Sequence, residues 1–489
     1  MSAPVVLALT AGFVAEAANG RLMSGDPSRV FATVSTDSRA LPAGEAKHDT
    51  LFIALHGPTF NGHAFVPELV RAGIAGVLIG TELDLQTLDV GRRTRDGADG
   101  ADAAAVIVVS DTLDALQRLA RAVRRASGAR VIAITGSAGK TTTKEMTAEL
   151  LGARFNVFRN AGNLNNHIGL PLSLLELRRG AEIAVVELGM NHAGEIHELV
   201  AIAEPDVRLW TNVGDAHIGH FGSREAIADA KAEILGQASA ATVLVANADD
   251  PLIASRIGRF PGRTITFGTS AGASVRATEI VDRGFDGTSA TVTLDVARPD
   301  VGRPDVERSV SITVPLPGLA NLMNALAAIA VAADHGIGAA EITARLAGVR
   351  PVARRGEVVA LANGARLIDD SYNASPAAMK LALAALKATP AKRRVAVLGE
   401  MRELGALSRQ LHAECGVAAA QAGVDLLIAI GGPDADGLAA GSANAVRFAD
   451  SAAAADAIDG LIREGDLILV KGSRGTRTDI VADRLKGRA

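Results

Sequence analysis

The segment Val131–Met146, VIAITGSAGKTTTKEM, sets two glycines, a lysine and a run of threonines directly after an apolar stretch. That order suits a phosphate cradle. Glycines at Gly136 and Gly139 let successive backbone N–H groups curl around phosphate oxygens, and the positive end of a following helix adds to the field. Ser137 and Ala138 complete the turn, Lys140 would put a cation on the outer phosphates, and the Thr141 hydroxyl would ligate Mg²⁺. The two glycines stand closer together than in the usual G-x-x-x-x-G-K-[ST] loop. The alternative is a plain strand-to-helix turn that happens to spell GKT, but the strand before and the helix after favour phosphate.

A nucleotide-bound Mg²⁺ takes further ligands from neighbouring strand ends. Glu187 closes the apolar run IAVVE, and His217 follows LWTNV. In a parallel sheet both would lie outside the carboxyl ends of the strands, where ligands gather. Alone, they would read as a solvated turn carboxylate and a loop histidine; beside a phosphate loop, metal binding stands level with those readings. Lys231, in ADAKAEIL, reads from the residues alone as a solvated helix lysine. In DDSYNASP, Asp369 to Pro376, Asp370 would accept from a ribose and Asn373 would meet a phosphate or base edge. Equally, the stretch is a polar turn capping a helix that begins near Pro376.

Other chemistries find less support. No G-x-S-x-G elbow occurs, and the last third lacks a G-x-G-x-x-G, so it need not bind NAD. Cys415 is the single cysteine and sits in an alanine-rich stretch. It reads as a small buried hydrophobe, not a nucleophile. One cysteine also excludes an internal disulfide and cysteine-pair zinc sites, which fits a reducing compartment. A net charge of -4 and only 3% aromatics argue against nucleic acid as a partner. PVVLALTAGFVAEAA lacks the basic leader of a signal peptide, and Glu16 falls where a cleavage site would be, so an amphipathic first helix ending at Asn19–Gly20 is expected. No apolar run is long enough to span a membrane, and a cytoplasmic protein is expected.

These groups need a sheet to position them. The 489 residues suggest roughly three domains. ARVIAITG, AEIAVVELG, VRLWTNVG, ATVLVANADD and RTITFG alternate with helical stretches, which argues for a parallel sheet covered on both faces. ATVTLDV and VSITVPL flank Ala297–Ser309 and read as a hairpin with a long loop, whereas Asp89–Ala104 reads as a surface insertion. GARLIDD, RRVAVLGE, DLLIAIGG, AVRFA and DLILVKGS, interleaved with helices, form a second, doubly wound series. The expected architecture is α/β in three domains: a small N-terminal α/β unit (1–110), a central P-loop parallel-sheet domain (111–345) and a C-terminal Rossmann-like domain (346–489).

Seven stretches then combine: TGSAGKTTTKEM, GNLNNHIGLPLSLLEL, VVELGMNHAGEI, TNVGDAHIGHFGSREAIADAKAEIL, DDSYNASP, LGEMRELGALS and VKGSRG. In this order they resemble the Mur ligase family, and within it the branch that adds D-alanyl-D-alanine. The resemblance runs from STDSR to KGSRG. It implies that Gly136 to Thr142 hold ATP, that Glu187 and His217 serve a Mg²⁺ site, and that Lys231 becomes a carbamate helping to hold a second Mg²⁺. It implies adenine contacts from GLANLMNALAA, with Asn321 and Asn324, and closure over ATP by Arg355, Asp370 and Asn373. Ser35, Thr36, Asp37, Ser38 and Arg39 resemble a uridine-diphosphate turn, and NLNN, with Asn163, Asn165 and Asn166, resembles the segment meeting the muramoyl peptide. Ser473 and Arg474 in KGSRG, with His412, are candidates for gripping the dipeptide, or else turn and surface residues. Three positions depart from the family: Ala320 replaces a common His, Asn61 an Asp, and Ser375 an Asn.

The implied activity is an ATP-dependent carbon–nitrogen ligase of cytoplasmic peptidoglycan precursor synthesis, a monomer acting on UDP-N-acetylmuramoyl-tripeptide and D-alanyl-D-alanine through an acyl phosphate. The sibling ligase that adds the third amino acid is the first competitor, although its D-N-P-R signature is missing from this sequence. Folylpolyglutamate synthase is a more distant ligase cousin. A nucleotide-regulated ATPase or binding module is the competitor from another class.

Overall fold

A computed structural model describes residues 5–41, 48–57, 60–83, 103–296 and 309–487. The stretches Asp89–Ala104 and Ala297–Ser309 lie, except for their last residues, outside the described residues. Two compact units emerge. One takes Met1–Ala133, Phe155–Gly189 and His197–Asp206, and the other takes Ile134–Arg154, Met190–Ile196 and Val207–Ala489.

In the first unit, strands run in the order Arg21–Ser24, Ala105–Val109, Gly76–Gly80, Thr50–Ile53, Thr33–Ser35. All neighbours are parallel except the first pair. Strands Val157–Arg159 and Ile183–Glu187 pair in parallel elsewhere in the unit. The expected first helix forms at Ala11–Ala17, where the Thr10 hydroxyl accepts from the Phe13 N–H at 3.1 Å. Helix Thr112–Ser127 has both ends specified. Asp111 accepts from the N–H groups of Leu113 and Asp114 at its start, and Gly128, at φ +66, stops it.

In the second unit, Val207–Trp210, Val243–Asn247, Arg263–Gly268 and Val275–Asp282 are successive parallel neighbours. Val243–Asn247 is buried along its whole length, as a strand covered on both faces should be. The expected hairpin is present, Thr288 pairing with Val314 and Thr293 with Ser309. Val275–Asp282 pairs antiparallel with its first strand, a strand the alternation did not reveal. Its outer half, Glu279 to Asp282, is mostly exposed and mixes Ile280 and Val281 with two carboxylates, so neither the buried-strand nor the alternating pattern marks it. Helix Gly318–Asp334 is almost wholly buried and packs on helix Lys140–Leu151. The C-terminal strands follow the order Glu357–Ala360, Arg366–Asp370, Leu467–Lys471, Arg394–Gly399, Leu426–Ile430, Ala445–Phe448. Only the first pair is antiparallel. This arrangement brings the ends of the strands bearing Asp370, Lys471 and Gly399 side by side. Among the described residues, no helix is long and apolar enough to cross a membrane.

One buried hydroxyl joins the C-terminal series to the hairpin. Thr389 Oγ1 accepts from the Phe285 N–H and donates to the Ala385 carbonyl, both at 2.8 Å, and its side chain is fully buried. Thr389→Val keeps the shape but orphans the Phe285 N–H, so stability should fall by about 1–3 kcal/mol. Chemical denaturation would report it, and an unchanged midpoint would show that this tie contributes nothing.

Candidate active site

The glycine loop is shaped by its neighbours. Gly136 has φ +150, and a Cβ there would lie 1.9 Å from Thr211 Oγ1. Gly139 has φ +81, and a Cβ there would lie 2.3 Å from Asn324 Oδ1. Only glycine meets both conditions at either position. Between them, the Asn212 side chain grips Ala138 at both ends: Oδ1 accepts from its N–H, and Nδ2 donates to its carbonyl, each at 2.9 Å. The Ser137 N–H donates to the Asn212 carbonyl at 3.1 Å, and Ser137 Oγ accepts from the Gly214 N–H at 2.9 Å. Lys140 opens the helix, its ammonium donating to the Gly136 carbonyl at 2.8 Å. Thr141 and Thr142 follow on its half-buried first turn.

The segment from Thr211 to His217 is itself braced. Asn247 Nδ2 donates to the Thr211 carbonyl at 2.9 Å, and Asp250 Oδ2 accepts from the Val213 N–H at 2.7 Å. Arg224 forks onto the carboxylate of Asp215, at 2.5 and 2.8 Å. His217 stands at the end of this segment with φ +65, and its Nδ1 lies 2.6 Å from Glu403 Oε2. Burial lowers its imidazole below the usual histidine range; Glu403 opposes that shift, and the charges of Lys231 and Lys140 reinforce it.

Lys231 overturns the solvated-lysine reading. Its helix, Arg224–Ala232, is capped by Ser223 and turns this side chain inward, leaving it 2% exposed. Burial, then the charge of Lys140, pushes the amine well below its ordinary value. Arg208, also buried, donates to the carbonyls of Ile234 and Gly236 and so ties down the turn after that helix. Lys140, His217 and Lys231 thus form one electrostatically linked cluster beside the loop.

Other expected residues prove to be tethers. Asn324 accepts from Thr143 Oγ1 at 3.2 Å and donates to Asn321 Oδ1 at 3.1 Å, while Asn321 donates to the Pro317 carbonyl. Asp370 accepts from the Lys471 ammonium at 2.6 Å; burial raises its carboxyl against the pull of that partner. Lys471 also donates to the Asn373 carbonyl, and the side chain of Asn373 is exposed. The Arg355 guanidinium stacks 4.0 Å from the Tyr372 ring centroid. Ser375 caps helix Pro376–Ala388, so the capping reading of DDSYNASP is realised. Ser473 is buried, its hydroxyl accepting from the Arg402 N–H at 2.9 Å, while Arg474 is exposed. His412 is buried too: Nε2 accepts from the Met401 N–H at 2.8 Å and Nδ1 faces the Ser408 carbonyl. Both hold the segment leading to Glu403.

Three groups belong to the first unit. Glu187 is 2% exposed, which overturns the solvated-turn reading, and its N–H donates to Asn160 Oδ1. Asp37 accepts from the Arg39 backbone and guanidinium, which holds its carboxyl down to about 2, while Ser35 Oγ donates to the Asp37 carbonyl. Thr36 and Ser38 are half-buried beside them. Asn166 Oδ1 accepts from the N–H groups of Ile168 and Gly169 ahead of helix Gly169–Leu174, Asn165 accepts from the Gly189 N–H through its carbonyl, and Asn163 is exposed. Among the described residues no three His, Cys, Asp or Glu side chains cluster for a metal. Mg²⁺ carried by a nucleotide needs no such cage, only a carboxylate or two with phosphates and hydroxyls. The hydroxyl of Thr141 and the buried carboxylate of Glu187 fit that chemistry.

Residues 134–332 match the Mur ligase middle domain, and residues 354–474 match the Mur ligase glutamate ligase domain. The UDP-N-acetylmuramoyl-tripeptide--D-alanyl-D-alanine ligase of Bacillus subtilis is 35% identical over 97% of each chain. The chain belongs to the Mur ligase family. Its three-domain α/β fold is similar to MurF from Acinetobacter baumannii, at TM-score 0.83 and 30% identity, covering 98% of this chain and 99% of that one. It is also similar to MurF ligase from Thermotoga maritima in complex with ADP, at TM-score 0.76 and 28% identity, covering 94% and 98%. Lys140, Glu187, His217, Lys231, Asn321 and Asn324 fall in the Mur ligase middle-domain match, and Arg355, Asp370, Asn373 and Ser473 in the other. Asn212, Asp215, Arg224 and Glu403 escaped the residue-by-residue reading, although all lie in the stretches TNVGDAH, GSREA and MRELG.

Two outcomes test this geometry. Gly139→Ala should cost about 1–3 kcal/mol through left-handed strain and the clash with Asn324, read as a lowered melting temperature; an unchanged one would contradict the close packing. Burial pushes the Cys415 thiol up to about 12. Because the thiolate is the reactive form, iodoacetamide should not label native protein at pH 8 and should label it once unfolded. Rapid native labelling would contradict the buried position.

Proposed function

We propose that this chain is the ATP-dependent ligase that joins D-alanyl-D-alanine to UDP-N-acetylmuramoyl-tripeptide. The observation that carries the proposal is full-length agreement with a ligase of that name, 35% identical over 97% of this chain. The loop geometry supports it: a rigid glycine turn ends in Lys140, with a second buried lysine electrostatically coupled to the first.

In this reading the peptide carboxylate attacks the γ-phosphorus, the bond to the ADP oxygen breaks, and an acyl phosphate forms. The dipeptide amine then adds to the acyl carbon; the tetrahedral intermediate expels phosphate, and the amine loses its proton. Like charges oppose the first step, so Lys140 and the positive end of helix Lys140–Leu151 neutralise the γ-phosphate as the carboxylate approaches. Thr141, Glu187 and His217 are the residues that would hold Mg²⁺, whose charge would be supplied to the phosphate oxygens. Lys231 is the candidate carbamate: burial pushes its amine well below the ordinary lysine value and so favours the neutral form, which adds to CO₂ with loss of a proton. The new carboxylate would supply a metal ligand.

Asn321 and Asn324 hold the adenine side of the nucleotide site, while Arg355, Asp370 and Asn373 close on its ribose and phosphates. The turn Ser35–Arg39 takes the uridine diphosphate, and Asn163, Asn165 and Asn166 meet the muramoyl peptide. Ser473 shapes the dipeptide side and Arg474 reaches it. The domains run 1–110, 111–345 and 346–489, and the enzyme works as a cytoplasmic monomer. Separate domains suit the chemistry, because an acyl phosphate hydrolyses easily and closure excludes water.

ADP formation should require both the muramoyl tripeptide and D-alanyl-D-alanine, and Lys140→Ala should lower kcat by about 10²-fold or more. ADP release independent of both substrates would favour a regulatory ATPase. Lys231→Ala should lose activity and regain part of it with added short carboxylic acids; no recovery would count against the carbamate.

A further inference from the structure

Two turns press together in the second unit. His217 and Glu403 both hold left-handed backbone, at φ +65 and +64, a conformation uncommon outside glycine. The Gly219 N–H donates to the Glu403 carbonyl at 3.0 Å. A Cβ on Gly219 would lie 2.6 Å from that carbonyl oxygen and 2.7 Å from the Gly405 N. On the side-chain level, Glu403 Oε2 stands 2.6 Å from His217 Nδ1, with the two side chains 48% and 25% exposed. Ion pairs this open to water contribute little to stability. Strained backbone held for so little stability belongs to sites where geometry matters.

We propose that Glu403 is a positioning residue: its carboxylate holds the His217 imidazole with Nδ1 inward, leaving Nε2 as the nitrogen presented to the metal–nucleotide site. A carboxylate beside one ring nitrogen settles the proton there and makes the other the donor to a metal. The carboxylate comes from the turn after strand Arg394–Gly399, so the C-terminal domain reaches the metal site through a histidine it does not contain. Tight nucleotide–metal binding therefore depends on this turn being docked. The inference rests on the proposed nucleotide–metal role of His217.

The test is Mn²⁺ binding in the presence of ADP, followed by electron paramagnetic resonance on the full chain. Glu403→Gln retains size and the Gly219 backbone contact, so its melting temperature should be unchanged. Its dissociation constant for Mn²⁺ with ADP should rise about tenfold, while that for ADP without metal stays as in the wild type. A merely structural role would weaken both. Glu403→Asp, which keeps the charge, should recover part of the loss. In a His217→Asn background, Glu403→Gln should add nothing, because the two act as one unit. Unaltered Mn²⁺ binding by Glu403→Gln, or losses that add in the double variant, would overturn this proposal alone. Failure of the wild-type chain to bind Mn²⁺ with ADP would overturn the nucleotide–metal reading as well.

Discussion

The grip of Asn212 on Ala138 is the contact on which the rest of the site depends. A chain of small residues between Gly136 and Gly139 has no rigidity of its own, because glycine loses the most conformational freedom on ordering. Here that freedom is removed by side chains from other elements. Asn212 holds the N–H and carbonyl of Ala138, Thr211 fills the space beside Gly136, and Asn324 fills the space beside Gly139. A loop fixed in this way holds Lys140 and the start of helix Lys140–Leu151 in one place, and charges preorganised like this are where electrostatic catalysis gains its strength.

The same segment carries the site outward. Strand Val207–Trp210 runs into Thr211 and Asn212, the braces at Asp250 and Asp215 fix the segment that follows, and His217 closes it against Glu403. Helix Arg224–Ala232 then returns Lys231 beside Lys140. Burying a lysine beside another cation is unfavourable for the charged form. That cost is tolerable where the amine is neutral or is converted to an anion, which is the state a ligand to a second metal would need.

Much of this was legible from the residues. Continuous apolar strands, the turn glycines and the hydroxyl-rich helix start are local signals, and each led to the right element. The capping of Pro376–Ala388 by Ser375 was likewise readable from neighbouring residues. Burial of Lys231 and Glu187 was not, because a charged side chain carries no mark of what covers it. Asn212 and Glu403 act on residues distant in sequence, so their roles exist only once strands and turns are brought together. Asp370 illustrates the middle case: its place at a strand end was readable, but its partner Lys471 comes from a strand about a hundred residues later.

The central claim is that this site activates a carboxylate by making it an acyl phosphate. The most direct measurement is the fate of oxygen in a single turnover with acceptor tripeptide labelled with ¹⁸O in its terminal carboxylate. An acyl phosphate transfers one carboxylate oxygen to the released phosphate, so the account requires one ¹⁸O in inorganic phosphate for each new amide bond. Unlabelled phosphate accompanying amide formation would contradict it.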